Sequence, residues 1–332
     1  MKQDKTFFAQ LITIIFTIIF MGALSAKADI KVVTTIKPLH SLISNVMDGI
    51  GEPSLIIEGS TSPHSFVLKP SHAKLIEQAD IIFWIGEDIE TFMEKPLESI
   101  AKNAKKVSFM ELSSIEKLKF REENIFEHED HDDHGHDEKK DHDDHGHGEK
   151  KDHDDHGDGH EGHHHGEFDA HIWLDPANAK EMLHEIAHEL ADLDPANADK
   201  YESNADNTIK SIDDMISNVN SSINKDAKFI VFHDAYQYFE KRFGVATAGA
   251  LTLNTDVLPG AKQISEIQEV IAEREIKCIF SEPQFNPKII ETIAQDTGIK
   301  TGVLDPLGSI FDAGKSQYFT LINDLGDKLK DC

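Results

Sequence analysis

Cysteine, basic residues and long apolar runs are all scarce in this chain of 332 residues. The 33 lysines and arginines are far outnumbered by 61 acidic residues, which gives a formal net charge of −28. A chain with this charge repels nucleic acid and anionic lipid, so we expect it to bind neither, and it attracts cations. Beyond one apolar run near the N-terminus, no segment is apolar enough to cross a membrane, and no cysteine follows that run as a site for a lipid anchor.

The two cysteines, Cys278 and Cys332, both lie in the last quarter of the chain. In an exported protein such a pair is expected to form a disulfide bond, which would tie the extreme C-terminus to an interior strand. Closing a loop of this size contributes about 3–4 kcal/mol to stability. Two free, buried thiols are the alternative.

The N-terminus has the pattern of a secretory signal peptide, which we predict over residues 1–28. Lys2 and Lys5 precede an apolar run, and Ala26-Lys27-Ala28 then provides the small residues of a cleavage site. The alternative is an uncleaved membrane anchor, because the run approaches the length of a membrane span. Cleavage would give an exported protein with no stable membrane insertion.

An acidic, histidine-rich tract occupies residues 127–166. It repeats the string HDDHGH at 131–136 and 142–147, and it has no large apolar side chain that could build a core. We therefore predict a disordered, solvated loop. Imidazole and carboxylate ligands favour borderline divalent metals, with zinc the leading candidate, so we expect the tract to bind several zinc ions weakly. Its thirteen histidines, the candidate auxiliary sites, are His128, His131, His134, His136, His142, His145, His147, His153, His156, His160, His163, His164 and His165.

Outside the tract, short apolar strands alternate with helices, which predicts an α/β protein with parallel sheets. We expect two Rossmann-like lobes, at residues 29–193 and 225–332, joined by a long rigid linking helix over 194–224. The first lobe would then contain the disordered insert rich in histidine and aspartate. The predicted strands are Ile30–Thr34, Ser54–Glu58, Ile81–Ile85, Val107–Met110, Phe229–Phe232, Cys278–Phe280 and Thr301–Leu304.

Four polar residues follow apolar strands or lie in loops beside them, and they are the candidate metal ligands. His64 lies in the loop after the second predicted strand, His171 precedes a predicted helix, and His233 and Asp305 end strands of the second lobe. Because ligands of open α/β sheets bind at the carboxyl ends of strands, we expect these side chains to meet in the cleft between the lobes. Three imidazoles with one carboxylate or water would complete a tetrahedral zinc shell.

The sequence around these residues carries a family resemblance. It lies in the strings STSPHSFVLKPS at 60–71, ADIIFWIGE at 79–87, HIWLDP at 171–176, VFHDAYQYFE at 231–240, CIFSEPQF at 278–285 and LDPLG at 304–308. These strings resemble the high-affinity zinc-uptake solute-binding proteins of ABC transporters, the ZnuA type. The resemblance covers nearly the whole mature chain and includes a histidine-rich acidic loop between the first and second ligand.

The resemblance implies a monomeric periplasmic protein that captures zinc and hands it to an inner-membrane ABC permease, with no enzymatic activity. It also implies two Rossmann-like lobes, a rigid helix between them, and zinc held at the interface by His64, His171 and His233. Asp305 matches the carboxylate that completes the shell in manganese-type relatives, which use a second carboxylate where this chain has His233. Three imidazoles favour zinc over manganese.

The fourth ligand stays open at this point. Some zinc members have a glutamate directly before the first histidine, and here that position is Pro63. The candidates are Asp305, water and a histidine of the tract. We also expect Glu282 and Asp234 to accept the second N–H of the ligating imidazoles, since such imidazoles usually donate it to a carboxylate or carbonyl.

Two other functions fit parts of the sequence. The tract alone would suit a metal-storage or metal-chaperone protein with many comparable sites. The string His184-Glu185-Ile-Ala-His188 has the H-E-x-x-H pattern of zinc metalloproteases. No third ligand follows it at the spacing of those enzymes, and both histidines flank an apolar stripe, so we expect them to be partly exposed helix residues.

Overall fold

The computed structural model describes residues 30–126, 166–253, 255 and 259–332. The predicted signal peptide and the thirteen histidines of the tract lie outside the described residues. In the described part of the chain, no helix is both long enough and apolar enough to span a membrane.

The first half of the chain forms a parallel four-stranded sheet in the order β2-β1-β3-β4. Its strands are β1 (Val32–Thr34), β2 (Ser54–Leu55), β3 (Ile81–Trp84) and β4 (Lys105–Ser108). Every residue of β1 and β3 is buried, as expected for the central strands of a parallel sheet that is covered on both faces. The helices of this half are α1 (Lys37–Val46), α2 (Pro70–Gln78) and α3 (Glu94–Ser99).

Two long helices, α4 (Pro176–Leu193) and α5 (Ala198–Ser222), connect the halves of the molecule. Helix α4 begins sharply because the Asp175 carboxylate accepts the N–H of Ala177 at 2.8 Å and a proline occupies the first helical position. Helix α5 is 25 residues long and packs against α4 and α1. It occupies the region where the linking helix was predicted.

The second half forms another parallel four-stranded sheet, in the order β6-β5-β7-β8. Its strands are β5 (Phe229–His233), β6 (Ala250–Thr252), β7 (Cys278–Ser281) and β8 (Lys300–Val303). Its helices are α6 (Gln237–Phe243), α7 (Ala261–Glu273), α8 (Lys288–Thr297) and α9 (Gln317–Lys328). Apolar residues of β5, β7, α7 and α8, among them Ile230, Ile267 and Ile293, form the buried core of this half.

The last helix, α9, returns to the first half of the molecule and packs against α1 and α5. The Ser41 hydroxyl of α1 donates to the Lys315 carbonyl at 3.0 Å and accepts the N–H of Tyr318 at 3.1 Å. The C-terminal segment therefore stabilises both halves. The lobe boundaries drawn from the sequence stay predictions.

The predicted fold class is confirmed: two parallel sheets carry flanking helices, and a long helix lies between them in the chain. The sequence analysis missed β6, because three residues are too few to show a strand pattern, and α3, whose Pro96 argues against a helix. Strand β2 is shorter than predicted, although the N–H groups of Ile56 and Ile57 still donate to Thr34 and Thr35 at 2.9 Å each.

Cys278 and Cys332 form the predicted disulfide bond, with 5.5 Å between their Cα atoms. The bond joins β7 to the last residue of the chain. It therefore holds the end of α9 close to the sheet whose carboxyl edge carries Glu282.

Candidate metal centre

His64 lies in a short 3₁₀ turn, Pro63–Ser65, that follows β2. Two features shape this turn: proline at its first position fixes the backbone, and the Ser62 hydroxyl accepts the N–H of His64 at 3.3 Å. The His64 side chain is half-buried and reaches the cleft from the first half of the molecule.

His171 is buried and is oriented by the carboxylate of Asp169. One oxygen of Asp169 accepts from the backbone N–H of His171 at 2.9 Å and lies 2.6 Å from its Nδ1. The other oxygen accepts from Gln237 of α6 at 2.8 Å. With Nδ1 bonded to the carboxylate, Nε2 of His171 is the atom available for a metal.

His233 is the last residue of β5 and is held in the same way by Glu282, which follows β7. The Glu282 carboxylate lies 2.6 Å from Nδ1 of His233 and 3.3 Å from its backbone N. Burial by itself would lower the pKa of His233, but the charge of Glu282 and its hydrogen bond outweigh burial, so the pKa lies above the ordinary 6.5.

The three imidazoles converge on one point. Nε2 of His171 lies 3.4 Å from Nε2 of His233, and the ligand atoms of all three side chains lie within 4.8 Å of one another. Tetrahedral zinc with nitrogen ligands at 2.0–2.1 Å requires nitrogen atoms about 3.3 Å apart. The pair of buried histidines is therefore already spaced for zinc, and a small movement of His64 would complete the set.

The histidine cluster lines a small cavity between the two halves. Its walls are mainly apolar: Ile89 and Trp173 come from the first half, and Phe285 and Leu307 come from the second. An apolar surround excludes water and strengthens the interaction of a bound cation with its ligands. The Trp173 indole N–H donates to the Pro306 carbonyl at 2.8 Å, so this side chain packs across the interface.

Asp305 also lies in the second half, directly after β8 and Leu304, but its carboxylate is already hydrogen-bonded. One oxygen accepts from Gln284 at 2.8 Å and from the N–H of Leu307 at 3.1 Å. The other accepts from the N–H and hydroxyl of Ser309 at 2.5 and 2.7 Å. Among the described residues, the group with ligand atoms close enough to share a metal contains the three histidines and not Asp305.

The carboxylates around the cluster differ in part from those expected. Glu282 contacts an imidazole as expected, whereas Asp234 forms an ion pair with Arg121 at 2.7 Å. The same guanidinium also binds the Glu240 carboxylate, at 2.8 Å, so Asp234 belongs to an ion-pair network with Arg121 and Glu240. Asp169 was not predicted from the sequence, although its Asp-x-His spacing places a carboxylate beside the ring of His171.

The other candidate ligands are not part of the cluster. His184 and His188 lie on the exposed face of α4. The thirteen tract histidines lie outside the described residues, so their predicted role stays a prediction.

Two lobes that bring three imidazoles together at the carboxyl edges of their sheets define a metal-binding protein of the two-lobed solute-binding class. The sequence pattern of the family described as "ZnuA: Zinc-uptake complex component A periplasmic" matches residues 32–332. The chain therefore belongs to the ZnuA family of zinc-uptake binding proteins.

Individual relatives agree with this assignment. The chain is 47% identical over 315 residues to the high-affinity zinc uptake system protein ZnuA of Brucella abortus (strain 2308), with 94% of each chain covered. Its fold is similar to a crystal structure of ZnuA, with a TM-score of 0.70 and 20% identity over 91% of this chain and 98% of that one. A zinc-bound ZnuA deletion mutant is similar to the same extent, with a TM-score of 0.69 and 21% identity over 91% and 97% of the two chains.

Proposed function

We propose that this protein captures Zn²⁺ in the cleft between its lobes and delivers it to an inner-membrane ABC permease for import. The observation that carries the proposal is the convergence of His64, His171 and His233, whose ligand atoms lie within 4.8 Å of one another. The family description, a periplasmic component of a zinc-uptake complex, supports both the compartment and the cargo. The domain organisation that goes with it is a signal peptide at 1–28, lobes at 29–193 and 225–332, and a linking helix at 194–224.

The donor set supports zinc as the cargo. Asp169 and Glu282 bind Nδ1 of His171 and His233, which fixes the tautomer that presents Nε2 to the cavity and raises the basicity of both ligands. Three imidazoles suit zinc better than manganese, which prefers oxygen ligands. Copper and nickel ions would bind the same donors, so their exclusion depends on how little of each free ion is available to the protein.

We propose water as the fourth ligand. Asp305 was the carboxylate candidate, but its two oxygens accept four hydrogen bonds, two of them from Ser309. Ligation by Asp305 would leave buried donors without an acceptor, which costs about 1–3 kcal/mol for each group. The Asp305 carboxylate then holds its own loop in place by accepting the N–H of Leu307, a residue that lines the cavity.

We propose further that zinc binding moves loops more than lobes. The halves are joined by the Trp173–Pro306 hydrogen bond and by the guanidinium of Arg242, which donates to both oxygens of Asp175 at 2.6 and 2.8 Å. Two parallel hydrogen bonds between guanidinium and carboxylate are strong and geometrically specific. The turn that carries His64 is less deeply buried, since His64 is half-buried and Ser65 is exposed.

Calorimetric titration with zinc tests the proposal. The wild type is compared with a triple variant, His64→Ala, His171→Ala and His233→Ala, and with a matched control, the double variant His184→Ala and His188→Ala. We expect the triple variant to lose one high-affinity binding event and to keep the weak ones, and the control to keep all of the cleft binding.

The same titration on a chain without residues 127–166 examines the storage function. One tight event should remain after this deletion. Survival of the tight event in the triple variant, or its loss with the deletion, would overturn the cleft assignment. Many comparable events in the wild type would favour storage.

A further inference from the structure

Helix α4 carries two histidines that the cleft does not use. The helix runs without a break over Pro176–Leu193, and the buried side chains of Leu183, Ile186 and Leu190 fix which face points inward. His184 and His188 are both exposed on the opposite side. The fold therefore presents two imidazoles, one helical turn apart, directly to solvent.

Helix geometry allows both side chains to reach one ion. Residues four apart on an α-helix lie on the same face, with Cβ atoms about 5–6 Å apart. A metal held by two imidazoles at 2.0–2.1 Å needs nitrogen atoms about 3.3 Å apart, a distance that these side chains span by rotation about their χ angles. The His188 side chain is 67% exposed, so packing does not oppose this rotation.

Carboxylates on the same face make the surface around the two histidines acidic. Asp192 lies one turn beyond His188, and its carboxylate is 4.0 Å from Nε2 of His188. Glu181 and Glu185 lie along the same stripe, at helical spacings of three residues from one or the other histidine. The ammonium group of Lys180, close by in sequence, is bound to Asp213 of α5 at 2.8 Å and so is turned toward that helix.

We propose that His184 and His188 form a second, exposed binding site for a borderline divalent metal ion, zinc above all, with water in the remaining positions. Imidazole donors suit this class of ion. The site is independent of the cleft and does not rest on the proposed transport function. It is a binding site and not a hydrolytic one, because both histidines lie open on a helix surface.

Residue-resolved chemical footprinting tests this site in the full chain. Histidines are modified with diethyl pyrocarbonate at a series of buffered free zinc concentrations, and mass spectrometry follows the tryptic peptide 181–200, whose two histidines are His184 and His188. This peptide is separate from the tract, so the tract histidines do not obscure it. We expect zinc to protect both histidines with the same midpoint.

Single variants distinguish chelation from simple surface binding. In His188→Ala, the zinc concentration that protects His184 should rise on the order of 10²-fold, because the second ligand no longer binds intramolecularly. Asp192→Asn should raise the midpoint by less. His72→Ala, on another helix, and His233→Ala, in the cleft, should leave it unchanged, and circular dichroism should show an intact fold in each variant.

Two results would overturn the proposal. One is that His184 and His188 stay fully reactive toward diethyl pyrocarbonate at millimolar free zinc. The other is protection of His184 that His188→Ala does not weaken. Neither result bears on the cleft, whose tight binding event is measured separately by calorimetry.

Discussion

Asp169 and Glu282 each hold one imidazole of the cluster by its Nδ1 atom, at 2.6 Å in both cases. These hydrogen bonds fix the orientation of the two buried rings, so zinc binding should cost them little side-chain freedom. Pre-organised ligands bind more tightly because the cost of ordering them has already been met in folding. At the residue scale, the affinity of the centre therefore depends on residues that never touch the metal.

Replacing Glu282 by glutamine tests this dependence. Glu282→Gln keeps an oxygen that accepts from His233 but removes the negative charge, so zinc affinity should fall about 10- to 100-fold. A chromophoric zinc chelator in competition measures the change. Glu266→Gln, on the exposed side of α7, is the matched control and should bind zinc like the wild type. Equal affinity in Glu282→Gln and the wild type would contradict the role given to this carboxylate.

Zinc affinity should also depend on pH in a defined direction. Zinc binds neutral imidazole, so protons compete with it. Because the pKa of His233 is raised, mainly by the charge and hydrogen bond of Glu282 acting against burial, the proton is held to a higher pH than in an ordinary histidine. Affinity should be constant well above this pKa and fall on the order of tenfold per pH unit below it.

Chelator competition between about pH 5 and 8 measures this fall. Glu282→Gln should move its onset to lower pH, because the glutamine no longer stabilises the imidazolium. An affinity that does not change as the pH drops below 6.5 would contradict the histidine ligand set.

His64 and His233 could be expected at the cleft because each follows or ends an apolar strand, and the carboxyl ends of parallel strands meet at one edge. His171 follows no apolar strand, and it was expected there because the string HIWLDP resembles the corresponding segment of the family.

The position of Asp305 could not be predicted. Whether a carboxylate faces a metal or its own loop depends on competing donors, and the donors of Gln284 and Ser309 are brought to Asp305 only by folding. For the same reason Asp234 was expected at the cluster and instead pairs with Arg121.

At the scale of elements, the loop that follows β3 borders the cavity through Ile89 and is fixed from within by Glu90. One Glu90 oxygen accepts the N–H groups of Ile85 and Gly86 at 2.7 and 3.2 Å. The side chain is fully buried, and burial raises its pKa from 4.5 to about 7. The folded protein therefore holds a proton on Glu90 that the unfolded chain releases near pH 4.5.

This difference predicts a pH dependence of stability. With the pKa raised in the folded state, the contribution of Glu90 to stability is complete below pH 4.5 and is lost as the pH rises through about 7. Glu90→Gln mimics the protonated form, so it should stabilise the protein at pH 8 and have little effect at pH 4.5. Denaturant unfolding of both proteins across this range measures the difference, and a variant that is less stable than the wild type at pH 8 would contradict the account.

Element prediction succeeded where patterns are long and failed where they are short. Helix α4 lies where the apolar stripe of Leu183, Ile186 and Leu190 predicts a helix, and Asp175 marks its start by capping. Strand β6 has only three residues, and its pairing with β5 follows from long-range contacts that no local pattern shows. The return of α9 to α1 has the same origin, since the hydrogen bonds of Ser41 reach residues more than 270 positions away.

At the scale of the whole molecule, two lobes share one cleft and are joined by direct bonds across it. The Trp173–Pro306 hydrogen bond and the Arg242–Asp175 pair link the lobes beside the cluster, and α9 joins them on the side of α1. Two lobes that are connected at several points open less than two lobes that are hinged at a single linker. The high negative charge, −28 over the whole chain, attracts cations.

Small-angle scattering should therefore show little change in the radius of gyration when zinc binds. Arg242→Ala removes one connection and should make the metal-free form more variable without removing any ligand. A large compaction of the wild type on addition of one equivalent of zinc would contradict the proposal that loops move and lobes do not.

The central claim is that the tight zinc site consists of His64, His171 and His233. Anomalous diffraction at the zinc absorption edge, from crystals of the protein with one equivalent of zinc, tests it most directly. We expect the strongest anomalous peak in the cleft, about 2.0–2.1 Å from one nitrogen of each histidine. The claim would be contradicted if the strongest peak lay on α4, or if it lay out of bonding distance of one of the three histidines.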